Sequence, residues 1–299
     1  QGVGIRMFLQ SAGFYLNRAT GKELDRLKEE QIKAINRIDA SLCRLKENGE
    51  KGLFAFITAG DPDLETTFKL VLSLEKAGVD LIELGVPFSD PIADGPVIQN
   101  ASQRSLAQGT NLRLILDLVH RVRIETNIPL LLMTYYNPVL QYGLEGFAVD
   151  AVEAGVDGMI VPDLPFEEST PLQEVLKPVG MHLIYLAAPT TPAERLRKIS
   201  TAARGFIYCV SRTGVTGMRD SISPDTAEFI QRVRQHCTLP LAVGFGVSNP
   251  EQASIVAQYA DAVIVGSAIV NLIEQFYEQK EVLVEQVSKL IKSFKDALL

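Results

Sequence analysis

The chain predicts an α/β fold, a closed (β/α)8 barrel, on three observations: eight short apolar runs from residue 53 onward, amphipathic stretches between them, and near-continuous rather than alternating hydrophobicity inside each run. Strands that are apolar on both faces belong to parallel sheets covered by helices. Eight βα units between residue 53 and the C-terminus fit a barrel of roughly 250 residues, with an open doubly wound sheet as the alternative.

The strands are expected at 53–58 (LFAFIT), 80–84 (DLIEL), 128–133 (IPLLLM), 158–162 (GMIVP), 182–187 (HLIYLA), 205–210 (GFIYCV), 239–245 (LPLAVGF) and 261–266 (DAVIVG). The first helix after a strand, 64–78, sets Phe68, Val71, Leu72 and Leu74 on one side and meets a glycine stop at Gly78. Others are expected near 112–124, 144–154, 168–177, 192–202, 225–236, 250–258 and 282–297. Two extra short helices, 97–108 after the second strand and 267–276 after the eighth, fall where barrels keep their chemistry. Ahead of the first strand, residues 21–47 combine dense i,i+3 and i,i+4 charge pairs with an apolar stripe through Leu24, Leu27, Ile32, Ile35, Ile38 and Leu42. They read as helix, at least from about 34, capping the barrel bottom. The whole is a TIM barrel with an N-terminal helical extension: residues 1–35 are a partly helical or disordered extension and 36–299 the catalytic barrel. Arg6 and Arg18, without any acid in the first 20 residues, suit the remnant of a targeting peptide, and no function is assigned there.

Composition narrows the partners. A net charge of −7 and the absence of a run of roughly 18 apolar residues predict a soluble chain without a membrane segment. Lys and Arg dispersed among acids argue against nucleic acid, whose backbone demands clustered cations. Cys43, Cys209 and Cys237 are too scattered for a disulfide framework, so a reducing compartment is expected, and His120, His182 and His236 lack metal-ligand spacing.

The chemistry concentrates in LIELGVPFSDPIADGP, residues 81–96. Glu83, near the carboxyl end of the second strand, should enter the barrel mouth among apolar neighbours, where desolvation raises its pKa and suits it as a general acid. Asp94 follows in a loop fixed by Pro87, Pro91 and Pro96 and turned by Gly85 and Gly95, which folds it over the same mouth. The structural alternative makes Glu83 a buried acid and Ser89, Asp90 and Asp94 turn caps.

Glycines at consecutive strand ends, GFG at 244–246 and GSAIV at 266–270, let backbone N–H groups approach an anion, with a helix opening at Ser267. Barrels commonly bind phosphate after strands seven and eight, so a phosphate ester is expected. The loop 211–224, SRTGVTGMRDSISP, is long for a βα turn and reads as a lid that reaches the site through Thr216. No lysine ends a predicted strand, which argues against Schiff-base aldol chemistry.

These residues resemble the tryptophan synthase α-subunit family. FITAGDPD (56–63), ELGVPFSDPIADGPVIQ (83–99), LMTYYNP (132–138), VPDLPFEES (161–169), SRTGVTG (211–217), VGFGVSNPEQ (243–252) and VGSAIV (265–270) match its motifs in the same order. The resemblance implies retro-aldol cleavage of indole-3-glycerol phosphate to indole and glyceraldehyde 3-phosphate. By position, Glu83 matches the acid that protonates the indole ring carbon, Asp94 the carboxylate that accepts the indole N–H, and Tyr208 the tyrosine beside them. Phe56, Met133, Tyr135 and Ile160 fall where the family lines the indole pocket, and Gly217, Gly246, Gly266 and Ser267 match its phosphate site. The family works as an α2β2 complex whose β subunit carries pyridoxal phosphate, so this chain is expected to have no cofactor of its own, and Asp90, Pro91 and Asn137 lie in the loops facing that partner. A bacterial cytoplasm or a plastid stroma fits such a subunit. Two alternatives share these residues in part: a free-standing lyase that releases indole, and a non-catalytic barrel that binds ligand to activate a partner and would have no need of both acids. A phosphate-barrel isomerase shares the GFG and GSA features but lacks the second-strand block.

Overall fold

The computed structural model describes residues 35–210, 224–244 and 246–299. Eight parallel strands close on themselves in sequence order: β1 Gly52–Thr58, β2 Leu81–Gly85, β3 Leu130–Met133, β4 Gly158–Ile160, β5 His182–Ala187, β6 Ile207–Val210, β7 Leu241–Gly244 and β8 Ala262–Val265, with β8 returning to β1. The open-sheet alternative is thereby excluded. Every strand falls inside or within a residue of its expected run.

Parity along the strands sorts the core into two layers. Phe54, Phe56, Glu83, Leu131, Met133, Ile160 and Tyr208 face the barrel interior, while Leu53, Ala55, Ile57, Ile82, Leu84, Leu130 and Leu132 face the helical jacket. That double burial is why the runs are apolar at every position.

Around the sheet lie α1 Arg37–Asn48, α2 Leu64–Lys76, α3 Pro96–Ala107, α4 Leu112–Glu125, α5 Tyr136–Tyr142, α6 Leu144–Ala154, α7 Thr170–Leu176, α8 Ala193–Ala202, α9 Pro224–Arg234, α10 Pro250–Ala257, α11 Ser267–Gln275 and α12 Lys280–Asp296. Their starts follow local chemistry. Asp63, Asn111 and Asn249 accept backbone N–H groups of Thr66, Leu114 and Gln252 to cap α2, α4 and α10. Pro96 and Pro250 occupy first-turn positions that need no N–H. Among the described residues no helix is long and apolar enough to cross a membrane.

Two differences from the expected pattern are local. The helix expected from about 34 begins at Arg37, because Asn36 caps it: its side-chain oxygen accepts from Ile38 N–H, and its amide donates to the carbonyls of Asp157 and Gly180. The short helix α5 is unexpected. Seven residues of sequence YNPVLQY bury only Val139, and Asp163 from the next βα loop holds the Tyr136 N–H at 2.9 Å, so the turn is imposed from outside.

Helix α1 closes the barrel floor by inserting Ile38 and Leu42 into the interior cluster beside Phe54, Leu81 and Phe206. A repeated ionic device surrounds it. Asp80, Asp157 and Asp261, immediately before β2, β4 and β8, accept the backbone N–H groups of Leu53, Leu130 and Leu241 at the start of the preceding strands. Cations cover each: Arg44 and Lys295 on Asp80, Arg37 and Arg123 on Asp157, Arg234 on Asp261. The expected split at residue 35 falls almost wholly outside the described residues.

Candidate active site

Glu83 sits in the middle of β2, in register with Phe56 on β1 and Leu131 on β3. It is 0% exposed, and neither carboxyl oxygen has a hydrogen-bond partner among the described residues. Removed from water and from any compensating donor, the charged form is disfavoured. Burial pushes its pKa up to about 8, so at neutral pH the group is an undissociated acid.

Asp94 reaches the same place from the loop between β2 and α3. The loop is folded by its own backbone, with Asp94 N–H donating to the Pro91 carbonyl at 3.0 Å, and the Gln99 amide donates to the Asp94 carbonyl at 2.9 Å. Tyr135 fixes it from the turn between β3 and α5: its hydroxyl accepts the Ala93 N–H at 2.9 Å and donates to the Asp94 carboxylate at 3.1 Å, while Phe88 stacks on the ring at 4.9 Å. Burial pushes the Asp94 pKa up to about 6, and the Tyr135 hydrogen bond opposes that rise. Near pH 7 the two carboxyls therefore hold opposite protonation states.

Tyr208 on β6 completes the interior face. Burial, followed by the nearby Glu83 and Asp94 carboxyls, pushes its ionisation well above the ordinary range, so it remains a neutral hydroxyl. Its ring has room only because β7 ends in glycine. A Cβ on Gly244 would lie 2.3 Å from the Tyr208 oxygen, and one on Gly85 would lie 2.6 Å from the Phe56 ring.

Above these side chains opens a cavity of about 250 Å³. One wall is apolar and acidic, formed by Phe56, Met133, Tyr208 and Asp94. The other carries Gly246, Gly266 and Ser267, where α11 begins. Its unpaired backbone N–H groups and the positive end of the helix dipole suit an anion. The cavity thus joins an aromatic slot, the Asp94 carboxylate and a wall suited to an anion, with Glu83 buried in the strand between Phe56 and Leu131 rather than lining it.

The other candidates are placed less directly. Tyr135 stands behind Asp94 and lines a smaller recess with Thr58 and Ser102. Ile160 is fully buried in the interior cluster, below the cavity wall. Thr216 and Gly217 lie outside the described residues. Asp90 and Asn137 are exposed and Pro91 half-buried; near them Ile92, in the loop between β2 and α3, and Leu140, on α5, are 82% and 49% exposed.

Sequence reasoning missed Val97, Ile98, Ser248, Ile264 and Asn271 in the cavity wall. Signals existed for two: Ile264 shares the inward parity of Ala262 on β8, and Asn271 lies one helical turn beyond Ser267. Val97 and Ile98 could be found only by knowing which face of α3 turns inward.

Residues 42–299 match the family model described as tryptophan synthase alpha chain. The tryptophan synthase alpha chain of Geotalea uraniireducens (strain Rf4) is 54% identical over 242 residues, covering 81% of this chain and 91% of that relative. That of Caldanaerobacter subterraneus subsp. tengcongensis is 47% identical over 264 residues, covering 88% of this chain and the whole of the relative. Among solved structures, tryptophan synthase subunit alpha from Legionella pneumophila str. Paris superposes with a TM-score of 0.82 at 42% identity, covering 89% of this chain and 99% of that one. A chain of the tryptophan synthase complex from Pyrococcus furiosus gives 0.75 at 37% identity, covering 82% and 98%.

Proposed function

Because this chain belongs to the tryptophan synthase alpha chain family, lyases that cleave indole-3-glycerol phosphate in tryptophan biosynthesis, we propose that Glu83 and Asp94 divide the chemistry of that cleavage. The observation that carries the division is the pair of unlike environments: a fully buried carboxyl without a hydrogen-bond partner among the described residues, with a pKa of about 8, and a hydrogen-bonded one in the cavity wall, with a pKa of about 6.

Protonated Glu83 gives its proton to the ring carbon that bears the side chain, turning the indole into an electrophilic indolenine. Positive charge develops on the ring nitrogen, and ionised Asp94 accepts its N–H and stabilises that charge. The carbon–carbon bond then breaks, its electrons returning to the ring, and the departing carbon becomes an aldehyde as its hydroxyl proton leaves. Glu83, now a carboxylate, is the base at hand for that proton, so one proton enters and one leaves and the acid is restored. Phe56, Met133 and Tyr208 hold the indole, and Gly246, Gly266 and Ser267 anchor the phosphate. The reading gives this chain no cofactor of its own.

The partner is the β subunit. The solved relatives from Pyrococcus furiosus are described as the tryptophan synthase complex and as an α2β2 complex, and the exposed Asp90, Ile92 and Asn137 with the half-buried Pro91 offer this chain's docking face at the same end as the cavity.

Release of indole from indole-3-glycerol phosphate, measured with and without added β subunit, tests the reading. The wild-type chain is expected to release indole, faster with the partner. Glu83→Gln should abolish turnover while substrate binding stays within about a few-fold, since the lost group acts in the transition state. Turnover retained in Glu83→Gln, or no indole from the wild type in either condition, refutes the assignment.

A further inference from the structure

Arg104 lies ten residues beyond Asp94, in the last turn of α3, the helix that follows the Asp94 loop, and lines neither the main cavity nor the recess behind Asp94. It nevertheless ties α3 to the loop after β1 and to α11. Its Nε and Nη2 donate to the two carboxylate oxygens of Asp61 at 2.9 and 2.8 Å, in the loop after β1, and Asp61 is 0% exposed. Its Nη1 donates to Glu274 at 2.9 Å, near the end of α11, the helix that opens at Ser267. Beside it, Ser105 donates to the Ala59 carbonyl at 2.6 Å.

At its other end α3 holds the acid. Gln99 donates to the Asp94 carbonyl, and Val97 and Ile98 form part of the cavity wall. Five residues of helix separate Gln99 from Arg104, roughly 7.5 Å of stiff rod. A forked Arg–carboxylate pair fixes direction as well as distance. A buried ion pair contributes little net stability over an apolar pair of similar volume, so geometry is the better account of this one.

We propose that Arg104 is a positioning residue for the cleavage: by clamping α3 onto Asp61 and α11 it fixes where Asp94 stands relative to the phosphate wall. This rests on the assignment of Asp94 to the reaction given above. Misplacing a reacting group by about 1 Å costs on the order of a hundredfold, without weakening the grip on substrate made elsewhere.

The test measures glyceraldehyde 3-phosphate release by the full chain in the presence of β subunit, for wild type, Arg104→Gln, Arg104→Lys, Asp94→Asn and the double variant Arg104→Gln/Asp94→Asn. Arg104→Gln is expected to lower kcat tenfold or more, on the scale of about 10- to 100-fold, with KM changed less than about threefold, and Arg104→Lys to recover part of the loss. In the Asp94→Asn background the same Arg104 change is expected to matter less than about threefold, because the group it positions is gone. If Arg104→Gln strands the buried Asp61 charge and does not fold, Asp61→Asn/Arg104→Gln removes that charge, and the same kcat loss is expected of it. Wild-type kcat in Arg104→Gln, a rise in KM alone, or full multiplicative loss in the double variant overturns the proposal while leaving Asp94 in the mechanism. A wild-type rate in Asp94→Asn overturns both.

Discussion

Replacing Glu83 by Gln separates what the carboxyl contributes to chemistry from what it does to the fold. Glutamine keeps the shape of the protonated acid but cannot ionise. In the native barrel the Glu83 proton is held up to about 8, whereas an ordinary glutamate releases it near 4.5. Between those values the folded protein retains a proton that the unfolded chain has lost. The stability this group gives is fully present below about 4.5 and is lost as pH rises through about 8. At ~1.4 kcal/mol for each tenfold in proton affinity, the full interval is worth about 5 kcal/mol, of which roughly 4 kcal/mol falls between pH 5 and pH 9. Urea unfolding of wild type and Glu83→Gln at pH 5, 7 and 9 reads it out, since every other titration cancels in the difference. The variant is expected to gain on the wild type by ~4 kcal/mol across that range. Parallel curves would mean that the carboxyl titrates alike folded and unfolded, which refutes the burial argument. A variant that loses ground as pH rises would show a native carboxylate with a partner.

The pH dependence of kcat/KM for indole release should rise as Asp94 ionises through about 6 and fall as Glu83 deprotonates through about 8; a profile from pH 5 to 9 that lacks either limb removes the corresponding group from the mechanism. Tyr135 and Tyr208, whose ionisations are raised out of this range, add no limb. At the barrel floor, Asp157→Ala leaves the buried Arg123 guanidinium and the Leu130 N–H without their partner. It should lower unfolding free energy by about 3–5 kcal/mol with kcat unchanged in the folded fraction, and a loss under about 1 kcal/mol would show that the Gly155 and Ile128 carbonyls, which also accept from Arg123, suffice to hold it.

How much could be read in advance depended on how local the cause was. All eight strands were legible because burial on both faces leaves the same apolar signature in each. The Glu83 environment was legible for a related reason: a carboxyl inside LIELG has nowhere polar to go. Asp94 was harder, since its place depends on Tyr135, forty-one residues away, whose hydroxyl closes the loop. Helix α5 escaped because its start is held by Asp163 from another loop. Val97, Ile98 and Ser248 escaped because a cavity wall assembled from several separate chain segments has no period in any one of them. The Arg104–Asp61 pair, forty-three residues apart, left no trace in either segment alone.

Strand β2 carries acids at two points of its path. Asp80, just before its first residue, accepts the Leu53 N–H and meets Arg44 and Lys295; Glu83, three residues on, meets no hydrogen-bond partner among the described residues. Three steps along a strand span about 10 Å. Within that length the chain passes from a region where negative charge is neutralised to one where it is refused. The strand works as a short insulator, and tuning the proton of one acid need not disturb the charge of the other.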